Sequence, residues 1–98
     1  MPSKTTRAMT ASKKTSPVQD QTIALQAPIH LDGIRLNTLT LRRPKVRDML
    51  AIEHLSGSDV EKEIQLFANL CEVSPDCLHE LDMADYTQLQ QHYQTFLS

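Results

Sequence analysis

The sequence has few of the side chains that enlarge a hydrophobic core. It has no tryptophan, two phenylalanines and two tyrosines among 98 residues. Residues 1–21 contain hardly any large apolar side chains, which leaves residues 22–98 to fold. A core of that size rarely contributes more than ~3–5 kcal/mol. We therefore expect a protein partner, or self-association into a homo-oligomer, to add stability.

Patterns of a disulfide framework, a zinc site and a membrane span are missing too. Cys71 and Cys77 have five residues between them and no paired histidines nearby, unlike the cysteines of structural zinc sites. No apolar run approaches the roughly 18–20 residues that cross a bilayer, and the N-terminus lacks the apolar segment of a secretory signal. These absences predict reduced thiols in a soluble, intracellular protein that does not bind membranes.

Charge is strongly segregated along the chain, although the net charge is only −2. Residues 1–21 have a net charge of +3 and residues 22–47 of +4, whereas residues 48–98 have −9. Such asymmetry indicates an interaction surface or head-to-tail self-complementarity.

The chain divides at about residue 22. Residues 1–21 are rich in Lys, Ser and Thr without apolar periodicity, which predicts a disordered basic arm. Residues 22–98 are predicted to form one small α+β domain. In it, a two-stranded antiparallel β-hairpin over residues 22–43 precedes a bundle of three to four α-helices over residues 44–97.

The hairpin is indicated by Asp32-Gly33, which separates the apolar-alternating runs TIALQAPIHL and IRLNTLTLR. An Asp-Gly pair favours a type I′ turn, because both central residues of that turn have positive φ. On the second strand the alternation changes phase after Leu36 and resumes at Leu39. Either a bulge lies near Asn37-Thr38, or the strand is covered on both faces.

Capping signals predict the helices. The first is expected over residues 44–56, with Pro44 in its first turn and an end at Ser56-Gly57. Ser58 and Glu61 then form a capping box, and later helices start at Ser74-Pro75 and at Asp82. On the first helix the residues expected to face the core are Val46, Met49 and Leu50. On the second they are Val60, Ile64, Phe67, Ala68 and Cys71.

The sequence offers little support for catalysis. Its four histidines are scattered, and no motif places a nucleophile, a metal or a phosphate. We expect a non-enzymatic protein without catalytic, metal-binding or cofactor-binding residues.

Four basic residues surround Pro44 where the second strand meets the first helix: Arg42, Arg43, Lys45 and Arg47. They could hold phosphates, so a small nucleic-acid-binding regulator that uses them and the basic arm is the alternative function. However, no aromatic residues are interleaved to stack bases, and the acidic helices would repel a duplex. Two further interpretations stay open, in which these side chains lie in water or pair with carboxylates of a partner protein.

An apolar stripe at helical spacing ends the chain, and it consists of Met83, Tyr86, Leu89, Tyr93, Phe96 and Leu97. Of these, Tyr86, Leu89, Tyr93, Phe96 and Leu97 are the candidate partner-binding residues. Such a stripe is most often part of the core. Its position at the chain end, beside a small core, also suits a helix that faces a partner.

Several short motifs between residues 23 and 98 occur together. They are a hairpin ending in Leu-x-Leu-Arg-x-Pro with an aspartate soon after it, a Ser-Pro block that ends in an aspartate, and a closing Phe-Leu pair. The residues concerned are Gly33, Leu39, Leu41, Arg42, Pro44, Asp48, Val73, Ser74, Pro75, Leu81, Asp85, Leu89, Phe96 and Leu97. In these motifs the chain resembles the small tail assembly chaperones of contractile-tailed bacteriophages and Mu-like prophages.

The chain departs from that family in its long Lys/Ser/Thr arm. It also has Cys71-Glu72-Val73 where the family more often has a glycine, which leaves the geometry of the interhelix turn open.

The resemblance implies a non-structural assembly factor. Proteins of this family bind the long, helical, apolar tape measure protein during tail assembly, keep it soluble and help to recruit tail tube subunits. The expected partners are therefore the tape measure protein and the tail tube protein. The expected location is the cytoplasm of the bacterial host, and the protein is not expected in the mature virion.

Overall fold

The computed structural model describes residues 19–97. Two strands, β1 (Gln21–Leu31) and β2 (Ile34–Leu41), are followed by four helices: α1 (Val46–Glu53), α2 (Asp59–Cys71), α3 (Pro75–His79) and α4 (Met83–Leu97). This order confirms the predicted α+β fold, a hairpin followed by helices. The disordered arm predicted over residues 1–21 lies, up to residue 18, outside the described residues.

The hairpin turn is made by Asp32 and Gly33, whose φ angles of 52° and 77° are both positive. These angles fit a type I′ turn, as the Asp-Gly pair predicts. The strands pair antiparallel, and Leu31 lies opposite Ile34 directly beside the turn.

The strand register is interrupted in the middle of the hairpin. Between the Ala24–Thr38 pair and the Ile29–Leu36 pair, β1 has four residues and β2 has one. The register shifts by an odd number of positions, so the alternation of side chains along β2 changes phase at the bulge. Leu36 before it and Leu39 after it can therefore face the same core. Of the two interpretations, the structure supports the one with a bulge, and it places the extra residues on β1.

Asp85 of α4 closes this bulge. Its carboxylate accepts the backbone N–H groups of Gln26 at 2.9 Å and Ala27 at 3.1 Å, in the stretch where regular strand pairing is lost. The residue is completely buried. Asp85 thus supplies these two N–H groups with acceptors in place of the missing strand hydrogen bonds.

The first helix differs from its prediction at both ends. It begins at Val46 after Lys45, so Pro44 precedes the helix and is not in its first turn. It ends at Glu53, well before Gly57, and His54 follows it in a right-handed conformation. A Cβ on Gly57 would lie 2.9 Å from a carboxylate oxygen of Glu61, so this glycine makes room for the next helix's cap.

The capping box of α2 is present as predicted. The N–H of Glu61 donates to the Ser58 hydroxyl at 3.1 Å, and the N–H of Ser58 donates to the Glu61 carboxylate at 2.9 Å. At the other end of α2, Glu72 adopts the left-handed conformation with φ of 57°. The turn therefore keeps the geometry that a glycine usually provides, although a glutamate occupies the position.

The core lies between one face of the hairpin and the helices, where α4 packs against β1 and α2 against β2. Phe67 of α2 is at its centre, with ring centroids 5.8 Å from Tyr86 and 5.5 Å from Tyr93. The fully buried residues on the strands and helices include Ile23, Ile29, Leu41, Phe67, Leu70 and Leu89. Val60, which we predicted to be buried on α2, is 59% exposed.

Candidate protein-interaction surfaces

The junction between β2 and α1 is fixed by an ion pair between Arg42 and Asp48. The two guanidinium NH2 groups each donate to one carboxylate oxygen at 3.0 Å. The backbone N–H of Lys45 donates to the same carboxylate at 2.8 Å. Arg42 therefore uses both of its terminal guanidinium nitrogens within the chain, to bind Asp48.

The ion pair also shifts the pKa values of both partners toward their charged forms. The hydrogen bond from Arg42 lowers the pKa of Asp48 below its ordinary value, and the same contact raises the pKa of Arg42. Burial of Asp48 opposes its ionisation, but the hydrogen bond from Arg42 outweighs that effect on the pKa.

The ion pair determines which face of α1 points inward. Asp48 is buried and Ile52 packs on the core. Residues at i, i+3 and i+4 share a helix face, and the face opposite Asp48 carries Val46, Met49 and Leu50. These three side chains are 70%, 51% and 54% exposed, respectively. The prediction that they face the core is wrong, because periodicity shows that a helix has an apolar face but not where that face points.

The apolar face of α1 continues onto the end of α4. Leu97 is 58% exposed, and a groove of about 220 Å³ is lined by Pro44, Lys45, Val46, Met49, Tyr93 and Leu97. We define the junction surface as Val46, Met49, Leu50 and Leu97, with Lys45 and Arg47 exposed beside them. The structure thus brings two separate sequence predictions together, the basic stretch and the end of the C-terminal stripe.

Arg43 reaches the same end of α4. Its guanidinium lies 5.7 Å from the centre of the Phe96 ring and donates to the Phe96 carbonyl at 3.5 Å. Its backbone N–H donates to Asp20 at 3.3 Å. Arg43 therefore links the start of the hairpin to the last turn of α4.

The remaining stripe residues lie in the core. Leu89 and Phe96 are 0% and 4% exposed. Tyr86 and Tyr93 are half-buried against Phe67, and the Tyr86 hydroxyl donates to Glu63. Burial, with this hydrogen bond, raises the pKa of Tyr86. Of the residues predicted in the stripe, Met83 and Leu97 at its two ends are well exposed, at 72% and 58%.

A second apolar groove, which the sequence reasoning missed, lies between α2, α3 and the start of α4. We call it the helix groove. Its volume is about 610 Å³, and its apolar lining consists of Val60, Ile64, Leu78, Leu81, Met83 and Tyr86. Val60 and Met83 are 59% and 72% exposed. The signal for it was present in the apolar residues at the starts of two amphipathic helices, which we assigned to the core.

Metal-ligating side chains are not clustered in the part of the chain that the structure describes. Among residues 19–97, no three His, Cys, Asp or Glu side chains lie close enough together to hold a metal ion. No helix in the same range has the length and apolar content to cross a bilayer.

A comparison with protein-family models decides the class of the protein. The model for "Phage tail assembly chaperone proteins, E, or 41 or 14" matches residues 22–98. The chain belongs to this family of phage tail assembly chaperones. The match confirms the resemblance drawn from the sequence motifs. Searches of curated proteins and of solved structures find no match for this chaperone.

In this chaperone the motif residues mainly stabilise the fold. Asp48 binds Arg42, Asp85 closes the bulge in β1, and Ser74 caps α3 by accepting the N–H of Cys77 at 3.3 Å. The exposed apolar residues of α1 lie between these motif positions in the sequence. The motifs therefore identify the scaffold of the chaperone, whereas its interaction surfaces become visible only in the folded chain.

Proposed function

We propose that this chaperone binds the tape measure protein during tail assembly and does so through the junction surface. The observation that carries the proposal is the orientation of α1, whose apolar face points to solvent beside Leu97. A groove of this kind suits an apolar helix, which docks with side chains at i, i+3, i+4 and i+7. Long helical chains with apolar stripes offer such segments repeatedly.

The exposed apolar area is large enough to matter for binding. Val46, Met49, Leu50 and Leu97 are each more than half exposed. Covering them would contribute on the order of 4–8 kcal/mol before the cost of association is subtracted. The complex would therefore be reversible, as a temporary assembly factor requires.

The charges beside the junction surface favour a partner helix with acidic side chains. Lys45 and Arg47 are exposed next to the apolar residues, and they would attract carboxylates that flank the apolar stripe of the bound helix. Arg42 is already paired within the chain, which weakens the alternative of a phosphate-binding patch.

The proposed role is one of binding, without catalysis. By covering apolar segments, the chaperone would keep the tape measure protein soluble in the cytoplasm of the bacterial host and assist assembly of the tail tube around it. We propose that it leaves before the virion is complete. Mass spectrometry of purified particles should then find the tape measure and tail tube proteins but not the chaperone.

Co-expression tests the proposal. The tape measure protein encoded beside this chaperone should stay soluble and co-purify with the wild-type chain and with Ala51→Asp, which adds the same charge on another exposed side of α1. Met49→Asp should lose both effects while its thermal unfolding is unchanged. If Met49→Asp retains the tape measure protein as well as Ala51→Asp does, the junction surface is not the binding site.

A further inference from the structure

The helix groove differs from the junction surface in size, position and charge. It is built by the first turns of α2, by α3 and by the first turns of α4, whereas the junction surface lies at α1 and the end of α4. The two surfaces are thus at different ends of α4.

The groove is open because α2 extends past the core. The buried residues of α2 lie in its second half, at Leu66, Phe67, Ala68 and Leu70. Val60 and Ile64 in its first half line one side of the groove, and Met83 lines another. The groove has a volume of about 610 Å³. That is room for several side chains of a docked helix.

Acidic residues adjoin the lining residues of the groove in the sequence. They are Asp59, Glu61 and Glu63 on α2 and Glu80 and Asp82 before α4, with one base, Lys62. Glu63 accepts hydrogen bonds from two residues that line the groove, from the Tyr86 hydroxyl and from the Gln90 amide at 3.0 Å. A ligand with acidic flanks would be repelled here, and one with basic flanks would be attracted.

We propose that the helix groove is a second docking site, which binds an amphipathic helix of another protein whose apolar stripe is flanked by lysine or arginine. The site is independent of the proposed tape measure complex, since it uses different residues and the opposite charge preference. The chaperone can accordingly hold two partners of different chemistry at once.

Fluorescence anisotropy with two labelled model helices tests this site. Both peptides carry the same leucine stripe, and one has lysine flanks while the other has glutamate flanks. The lysine peptide should bind the full chain, and Met83→Lys should weaken that binding about tenfold or more. Val46→Lys makes the same change on the junction surface and should leave the affinity within about twofold. Both positions are more than half exposed, so neither variant should alter thermal unfolding.

Several results would overturn the proposal. They are no binding of the lysine peptide, a loss of glutamate-peptide binding in Met83→Lys as large as the loss of lysine-peptide binding, or equal effects of Met83→Lys and Val46→Lys on the lysine peptide. Sedimentation of the chaperone alone gives a further test. If it self-associates and Met83→Lys abolishes the association, the occupant of the groove is a second copy and not another protein.

Discussion

Asp85 accepts the backbone N–H groups of both Gln26 and Ala27, which lie 59 and 58 residues away in the sequence. Through these two hydrogen bonds the last helix holds the irregular middle of the first strand. The carboxylate is completely buried, although Gln26 and Ala27 themselves are exposed. The Asp85 side chain thereby couples the shape of the bulge in β1 to the position of α4.

Replacing Asp85 should destabilise the fold strongly. Asp85→Ala removes two hydrogen bonds to a buried, charged acceptor, and we expect a loss of about 2–4 kcal/mol in the free energy of unfolding. Asp85→Asn keeps one acceptor oxygen and should lose about half as much. Urea denaturation measures both.

The control for Asp85 is Asp82→Ala. Asp82 is exposed and accepts the N–H of Ala84 at 2.9 Å as a local cap, so its loss should cost about 1 kcal/mol or less. Equal effects at the two aspartates would show that the bulge contact contributes little.

The ion pair at the junction predicts a pH dependence of stability. Because Arg42 lowers the pKa of Asp48 below its ordinary value of 3.8, the folded chain keeps this carboxylate ionised where the unfolded chain protonates it. The resulting stabilisation is present above that value and is lost as the pH falls through the folded pKa. Asp48→Asn should cost roughly 2 kcal/mol at pH 7.

Urea midpoints of the wild type and of Asp48→Asn, measured between pH 7 and pH 2, test the direction of this pH dependence. The difference between the two proteins should shrink as the pH drops below about 4. A difference that stays constant over this range would mean that Asp48 acts through packing and not through its charge.

The turn after α2 offers a stabilising substitution. Glu72 is exposed and has φ of 57°, a conformation that is unfavourable for residues with a Cβ. Glu72→Gly should raise the free energy of unfolding by roughly 0.5–1 kcal/mol, since relief of strain exceeds the added flexibility of the unfolded chain. Glu72→Ala removes the charge but keeps the Cβ, and it should stabilise much less.

The thiols should react slowly in the folded protein. Burial raises the pKa of Cys71 from 9.0 to about 12 and also raises that of Cys77. Since the thiolate is the reactive form, reaction with an aromatic disulfide reagent at pH 8 should be at least about a hundredfold slower than in urea. Similar rates in both conditions would show that the helices around Cys71 open frequently.

Local signals in the sequence predicted the turns and caps, because they involve residues close together in the chain. Asp32-Gly33 and Ser58 with Glu61 are of this kind. The role of Asp85 could not be predicted in the same way, since its partners are far away in the sequence and are backbone groups. The direction of the apolar face of α1 was predicted wrongly for another reason. The Arg42–Asp48 ion pair sets that direction, and the apolar periodicity contains no information about the ion pair.

The two described methionines report on the two surfaces separately. The chain has four methionines; of these, Met49 lies on the junction surface and Met83 lies in the helix groove. With ¹³C-labelled methionine methyl groups, each surface gives its own NMR signal.

The most direct test of the account is a titration of this labelled chaperone with a helical segment of the tape measure protein. We predict that the Met49 methyl signal shifts or broadens in proportion to the complex formed, and that Met49→Leu removes that signal without abolishing binding. A saturable complex that leaves the Met49 signal unchanged would contradict the proposed use of the junction surface.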